Sequence, residues 1–429
     1  MSAVSILSTV SKTEPVGARV TQPTLASVVV FGAVVFNMVL CFVNTKLLRV
    51  NVDVVVAAEI ALIGMALGLI WYRAYSFYRI LLLLTAYFFT VMVFRSSFDP
   101  KILRDFLIPI VFFFLGSYLG SFRSADRLVM LLIFLALGAA LFEWLALNTY
   151  LHFFDVFHYY VERGTGTNLE TDTAGLIIQG TNSTAGLFTN ATRFDERTLL
   201  PFLGSHRVSG IFLEPVSVGN FGAIAFAWVL LRDRTRVWHL VAKLLAIATI
   251  LVLADARFGV YLCLFTLALY LVAPIIRPTM LFFAPFLMMI VLVILAGANW
   301  LAYNNTMTGR LLGGGGPLAS LDPWQVLGLE VGQVYGDSGY GYALVNVGLL
   351  GLAAIWALFV YAPTLNNDAW RYKNFIVFYI VFLLSISASL FTIKTAALLW
   401  FLYGTLNNQE ERQLVATQRA EGSYGRPIP

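Results

Sequence analysis

The chain has 429 residues, 59% of them hydrophobic and only 12% charged, with a mean hydropathy of +0.81. A soluble domain balances roughly 45–50% apolar against about 25% charged residues, so the composition excludes an ordinary soluble enzyme and points to an integral membrane protein. The formal net charge of +5 does not indicate nucleic acid as a partner, because the basic residues are scattered between apolar runs and form no single stripe.

Residues 1–23 read as a cytoplasmic tail. Met1 to Gln22 is polar, rich in Ser and Thr and contains Pro15, and no small-residue cleavage site follows the first apolar run, which argues against a cleaved signal peptide. Crossing about 30 Å of hydrocarbon takes about 20 mainly apolar residues in helix, since unpaired backbone in lipid is too costly. The expected fold is therefore all-α and polytopic, with about twelve spans. Residues 24–147 supply the first five: Thr24 to Asn44, Asp53 to Trp71, Phe77 to Phe94, Phe106 to Phe122 and Leu128 to Leu147. Residues 148–209 form a large loop. Residues 210–301 supply Gly210 to Leu231, Val237 to Ala254, Phe258 to Ala273 and Met280 to Trp300. A second loop covers 302–339, and residues 340–406 supply Tyr340 to Tyr361, Phe375 to Phe391 and Thr395 to Leu406, ahead of a cytoplasmic tail, 407–429.

Lysine and arginine in short loops favour the cytoplasm. With the N-terminus inside, Arg232, Arg234, Arg236, Arg277, Arg371 and Lys373 fall inside and both long loops fall outside. Loops beyond about 12–15 residues are usually functional or disordered. The first holds the aromatic patch His152-Phe153-Phe154 to His158-Tyr159-Tyr160, which could lie along the interface as an amphipathic helix. The second holds Gly313-Gly314-Gly315-Gly316, a flexible stretch suited to a lid. The alternative is that both loops are tolerated surface insertions. Cys41 and Cys263 sit inside predicted spans, far from any Cys-x-x-Cys spacing, and no His, Cys and carboxylate set has metal spacing.

Three charged clusters fall on the outer side. Arg207 ends the first loop, with His206 before it and Gly210, Glu214, Pro215, Gly219 and Asn220 after it. Pro215 disfavours helix at Glu214 and suits a first helical turn, so 207–214 should be an irregular entry, tolerated at membrane depth only against protein or a watery cavity. Arg207 either serves a site or snorkels to headgroups with Glu214 as its counter-ion. Arg257 sits in a tight turn with Asp255 two residues before it. A guanidinium grips phosphate through two parallel hydrogen bonds, so two arginines suit a diphosphate, unless Asp255 and Arg257 merely pin the turn. Asp337 ends the second loop ahead of Tyr340 and Tyr342, rings that can stack on sugar faces. A free Asp with a pKa of about 3.9 is a weak base, but one that accepts a proton late in the transition state still contributes about 10²–10⁴-fold. Lys243 and Glu143 should face the bundle interior or snorkel, since charge inside a span costs about 2.5–3.5 kcal/mol, and their places near span ends favour snorkelling.

In order along the chain, these clusters resemble those of the O-antigen ligase and Wzy-type polysaccharide polymerase superfamily, and the chain as a whole is similar to its exopolysaccharide, xanthan-type branch. The family's Arg-x-x-Gly with an acid or Pro-Asn downstream is matched by Arg207, Gly210, Glu214, Pro215 and Asn220. Its Ser-Arg-Gly turn is matched by Ala256, Arg257 and, displaced by one, Gly259. Its His or Asp ahead of Gly-Leu-x-Gly is matched by Asp337 ahead of Gly348-Leu349-Leu350-Gly351. Ligases carry histidine where this chain has Asp337, which favours a polymerase.

The resemblance implies a multi-pass glycosyltransferase of the bacterial inner membrane. It would join undecaprenyl-diphosphate-linked oligosaccharide repeat units into a long polymer at the periplasmic face, using no cofactor or metal. Arg207 and Arg257 would hold the diphosphate, Asp337 or Glu214 would take the acceptor proton, and His206, Tyr340, Tyr342 and Asn220 would surround the saccharide. A chain-length regulator and an export complex are the implied partners. Ligase-like transfer to another acceptor is the alternative within the superfamily, and a flippase for lipid-linked oligosaccharide is the alternative outside it. Polyprenyl-phosphate glycosyltransferases with an acidic pair in the first outer loop fit poorly, because Thr45 to Asn51 holds no acid.

Overall fold

The computed structural model describes residues 16–72, 75–95, 99–162, 198–233, 237–298, 307–330 and 338–408. Its α-helices are α1 (Val16–Lys46), α2 (Val52–Ile70), α3 (Tyr75–Arg95), α4 (Pro100–Leu119), α5 (Phe122–Leu145), α6 (Leu147–Phe153), α7 (Val156–Tyr160) and α8 (Pro215–Arg232). They continue with α9 (Val237–Leu253), α10 (Arg257–Val272), α11 (Pro278–Gly297), α12 (Met307–Ala319), α13 (Pro323–Val326), α14 (Gly339–Tyr361), α15 (Asn367–Leu384) and α16 (Ile393–Leu406). Three short 3₁₀ turns, Pro201–Leu203, Gly210–Phe212 and Ser389–Phe391, complete the described elements, none of which is a strand.

Among the described residues, eight helices are long and apolar enough to cross a bilayer: α1 to α5, α8, α11 and α14. The protein is a multi-pass membrane protein. Each of the twelve segments expected as spans contains a described helix, but four of these are not long and apolar enough to count as spans: α9, α10 and α16 are apolar and shorter, and α15 carries Asp368, Arg371 and Lys373. Large apolar side chains face outward on several long helices, among them Leu82, Leu83 and Phe94 on α3 and Leu287 and Ile294 on α11. Lipid, unlike water, imposes no hydrophobic drive between helices, so close packing and small residues must hold them together. The most extensive pairing, α4 with α16, is of this kind. A Cβ added at Gly404 would lie 2.1 Å from the Phe113 carbonyl oxygen, and one at Gly116 would lie 2.2 Å from that of Phe401.

Several expected boundaries shift, each for a local reason. The fourth span starts at Pro100 instead of Phe106, because Asp99 caps Lys101 N–H and Pro100 opens the helix. Phe122 belongs to α5, whose start is fixed by a capping box between Ser121 and Ser124. The segment expected as Phe375 to Phe391 begins instead at Asn367 behind an Asn366 cap and ends at Leu384. Its Lys373 is fully buried, donating to the Val360 and Ala362 carbonyls at 2.6 and 2.7 Å, where a cation complements the C-terminus of α14.

The glycine run expected as a flexible lid is helical. Gly313 to Gly316 lie within α12, and a Cβ at Gly315 would sit 2.6 Å from the Leu292 carbonyl oxygen of α11. The glycines thus permit a close crossing. In α14, Gly348 breaks the helix with φ 74 and ψ 157. The Leu327–Gly328 turn fills the notch, with a Cβ at Gly348 only 2.3 Å from the Leu327 oxygen, and Gly351 leaves room for Tyr87, whose hydroxyl donates to the Val347 carbonyl. The aromatic patch forms α6 and α7, which fold back on the bundle with Tyr150, Val156, Tyr159 and Tyr160 buried. The rest of the first loop, 163–197, lies outside the described residues, as does the Asp337 position.

Candidate functional site

Between the described part of the first loop and α8 the chain is irregular, and its polar backbone is satisfied from three directions. Glu143, fully buried near the end of α5, accepts from Ser209 N–H at 3.0 and 2.9 Å and from Gly210 N–H at 2.6 Å. Tyr150 of α6 donates to the Gly210 carbonyl at 2.9 Å, and burial pushes its phenol pKa up, so it stays a neutral donor. Lys394 of α16 reaches the Phe212 carbonyl at 3.4 Å. The expectation that Glu143 snorkels is therefore corrected. Its carboxylate replaces the water that this backbone would need in a bilayer. Lys243 is not a lone snorkelling cation either, since it pairs with Asp233 at 2.6 Å.

This scaffold holds Arg207 against the turn between α9 and α10. Val208 N–H donates to the Leu253 carbonyl at 3.1 Å. The nearly buried Arg207 guanidinium donates from Nε to the Ala254 carbonyl at 3.1 Å and from Nη2 to that of Asp255 at 3.4 Å. A guanidinium at these carbonyls complements the C-terminal dipole of α9. Asp255 is buried in a left-handed conformation, φ 46, which a non-glycine residue holds only where its surroundings impose it. Its Oδ1 accepts from Leu199 N–H at 2.8 Å.

One cleft is lined by Arg207, Arg257 and Arg310, with Asp255 the sole carboxylate among its lining residues. Pro215 and Val216 of its wall open α8, while Arg257 and Phe258 open α10. Helix N-termini carry partial positive charge and favour anions. The two helices meet through glycine, a Cβ at Gly259 lying 2.7 Å from the Gly219 carbonyl oxygen, which brings both N-termini to one place. Three guanidiniums and two helix starts give this cleft the charge to favour a polyanion whose oxygens can accept paired guanidinium hydrogen bonds.

The structure thus brings Arg207 and Arg257 to one cleft, whereas His206 is not among its lining residues and has Nε2 3.1 Å from Glu143 Oε1. Glu214 lies on the same irregular segment, paired with Lys394 and accepting from Ser217 Oγ at 3.0 Å. Asn220, Tyr340 and Tyr342 do not line this cleft. Asn220 is fully buried and donates to Ser389 Oγ at 3.1 Å. Tyr340 is buried with its hydroxyl on the Val381 carbonyl at 3.0 Å, and Tyr342 is buried with its hydroxyl on Asp105 at 2.7 Å. Lys101 Nζ stands over the Tyr342 ring, 5.2 Å from its centroid, and Phe391 tilts against it. Arg310 was not singled out by sequence reasoning, although it is the only charged residue of α12.

Comparison with protein-family models, with curated proteins and with solved structures finds no match.

Proposed function

We propose that the protein is a membrane glycosyltransferase that joins undecaprenyl-diphosphate-linked oligosaccharide repeat units into exopolysaccharide at the outer face of the bacterial inner membrane. The observation that carries this reading is the convergence of Arg207, Arg257 and Arg310 on one cleft at two helix starts. A diphosphate ester matches that charge and geometry, and its prenyl tail belongs in lipid. The ordered resemblance of the Arg207, Arg257 and Asp337 clusters to the O-antigen ligase and Wzy-type polymerases supplies the reaction class.

In this reading an acceptor sugar hydroxyl attacks the anomeric carbon of the donor. The C–O bond to the diphosphate breaks and the lipid diphosphate leaves with the electron pair. Guanidiniums preorganised at the leaving oxygens act where charge develops, a contribution that often dominates catalysis. The hydroxyl proton passes to a carboxylate, Glu214 or Asp337. A chain-length regulator and an export complex would receive the product.

The test is the size distribution of lipid-linked and released saccharide in membranes carrying Arg207→Ala, Arg257→Lys or Arg310→Ala at matched protein levels. Accumulation of single repeat units on the outer face is expected for each. Arg257→Lys is the most informative, since lysine keeps the charge but loses the bidentate fork. Normal long polymer from all three would sink the reading, and repeat units accumulating on the inner face would assign the chain to transport instead.

A further inference from the structure

A second cavity lies on the other side of the turn that ends in Glu214. It is lined by residues of α1, α2, α7, that turn and the start of α16, and has a volume of about 160 Å³. Six of its eight lining residues have side chains able to form hydrogen bonds: Asn37, Glu59, Tyr160, Glu214, Thr392 and Lys394. In a chain this apolar, such a lining needs a reason, because buried polar groups cost free energy unless bonded.

The charges within it are already balanced. Glu59 pairs with Arg104 at 2.6 Å and Glu214 pairs with Lys394, so neither an anion nor a cation is called for. Each carboxylate offers about four lone-pair sites, more than one ion pair uses. The cavity is thus rich in acceptors for hydroxyl hydrogens. Asn37, buried and oriented by Tyr159 O–H on its Oδ1 at 2.8 Å, and Lys394 supply donors. At about 160 Å³ the space far exceeds the ~10–15 Å³ one water needs and falls below the ~300 Å³ of drug-sized sites. One polyhydroxylated ring fits that size and chemistry.

Position adds the decisive link. Glu214 lines this cavity and its neighbour Pro215 lines the arginine cleft, so a single peptide unit separates the two spaces. We propose that this cavity binds one neutral sugar ring of the acceptor through its hydroxyls, with Glu214 standing between that ring and the diphosphate cleft. The inference rests on the transferase reading for the word acceptor, but the sugar site itself can be tested alone.

The experiment is saturation-transfer-difference NMR on the full chain in nanodiscs, with methyl glucoside, methyl galactoside and methyl mannoside as probes and glycerol as the control. Thr392→Val removes a hydroxyl at constant shape, and Asn37→Leu fills the space. Both are checked for unchanged elution from size exclusion, and inorganic diphosphate binding is measured in parallel. The expected result is transfer to at least one hexoside in the wild type, reduced about fivefold or more by either substitution, the scale of one net hydrogen bond, with diphosphate affinity unchanged. No transfer to any hexoside in the wild type, or equal transfer in the filled variant, overturns the site. Hexoside transfer lost in the variants while the wild type fails to bind diphosphate supports the sugar site and removes the transferase reading.

Discussion

Glu143 illustrates how a single side chain sets the local structure. Its carboxylate takes two consecutive backbone N–H groups of the segment that presents Arg207. Glu143→Gln keeps the shape but turns one acceptor into an N–H₂ facing those donors. Hydrogen bonds to a charged group contribute about 1.5–3 kcal/mol, so the variant should melt several degrees lower in detergent and lose diphosphate affinity with Arg207 itself intact. An unchanged melting temperature and affinity would mean that the segment is held by its other contacts. Arg207 was legible because it stands where the first loop meets an apolar run, and Arg257 because it stands in the short turn between two such runs. Glu143 and Arg310 were not, since what defines them is a partner far along the chain.

At the level of helices, glycine separates contact from open surface. Gly404→Ala would force a methyl group to within 2.1 Å of the Phe113 carbonyl oxygen, and overpacking of this kind typically costs about 1–3 kcal/mol. Gly138, in α5, has nothing within 4 Å of an added Cβ, so Gly138→Ala should be neutral or stabilising by up to about 1 kcal/mol through helix propensity. Thermal unfolding of the two variants side by side checks this, and equal destabilisation would refute the α4–α16 crossing. Hydropathy located these helices but not their ends. Asp99, Ser121 and Asn366 are polar residues that a hydropathy window assigns to loops, whereas their side chains start helices a few residues earlier than the apolar runs do.

Across the whole molecule, one end of the bundle gathers Glu143, Arg207, Arg257 and the Glu214–Lys394 pair, and the opposite end gathers Asp126 with Arg232 and Asp233 with Lys243. The positive-inside rule predicts that the second end faces the cytoplasm. Phe202 and Trp238, both strongly exposed, mark the two ends. An impermeant maleimide should label Phe202→Cys in intact cells and Trp238→Cys only after permeabilisation, while the buried Cys41 and Cys263 stay silent. Labelling of both from one side would overturn the arrangement. Fold class was readable from composition because lipid leaves helices as the economical way to satisfy backbone. The fate of the glycine run was not, because four glycines spell flexibility until a neighbouring helix presses against them.

The break at Gly348 divides α14 between two solvents. Every residue from Gly339 to Gly348 is buried, whereas Leu350 and Leu358 beyond it are exposed. The first half is therefore surrounded by protein, while the second keeps one face on it through Gly351, Trp356 and Val360 and turns the other outward. Polarity in the first half, such as the buried Asn346, is set by its neighbours and not by the bilayer, so substitutions there should leave membrane insertion untouched while those beyond Gly348 govern it.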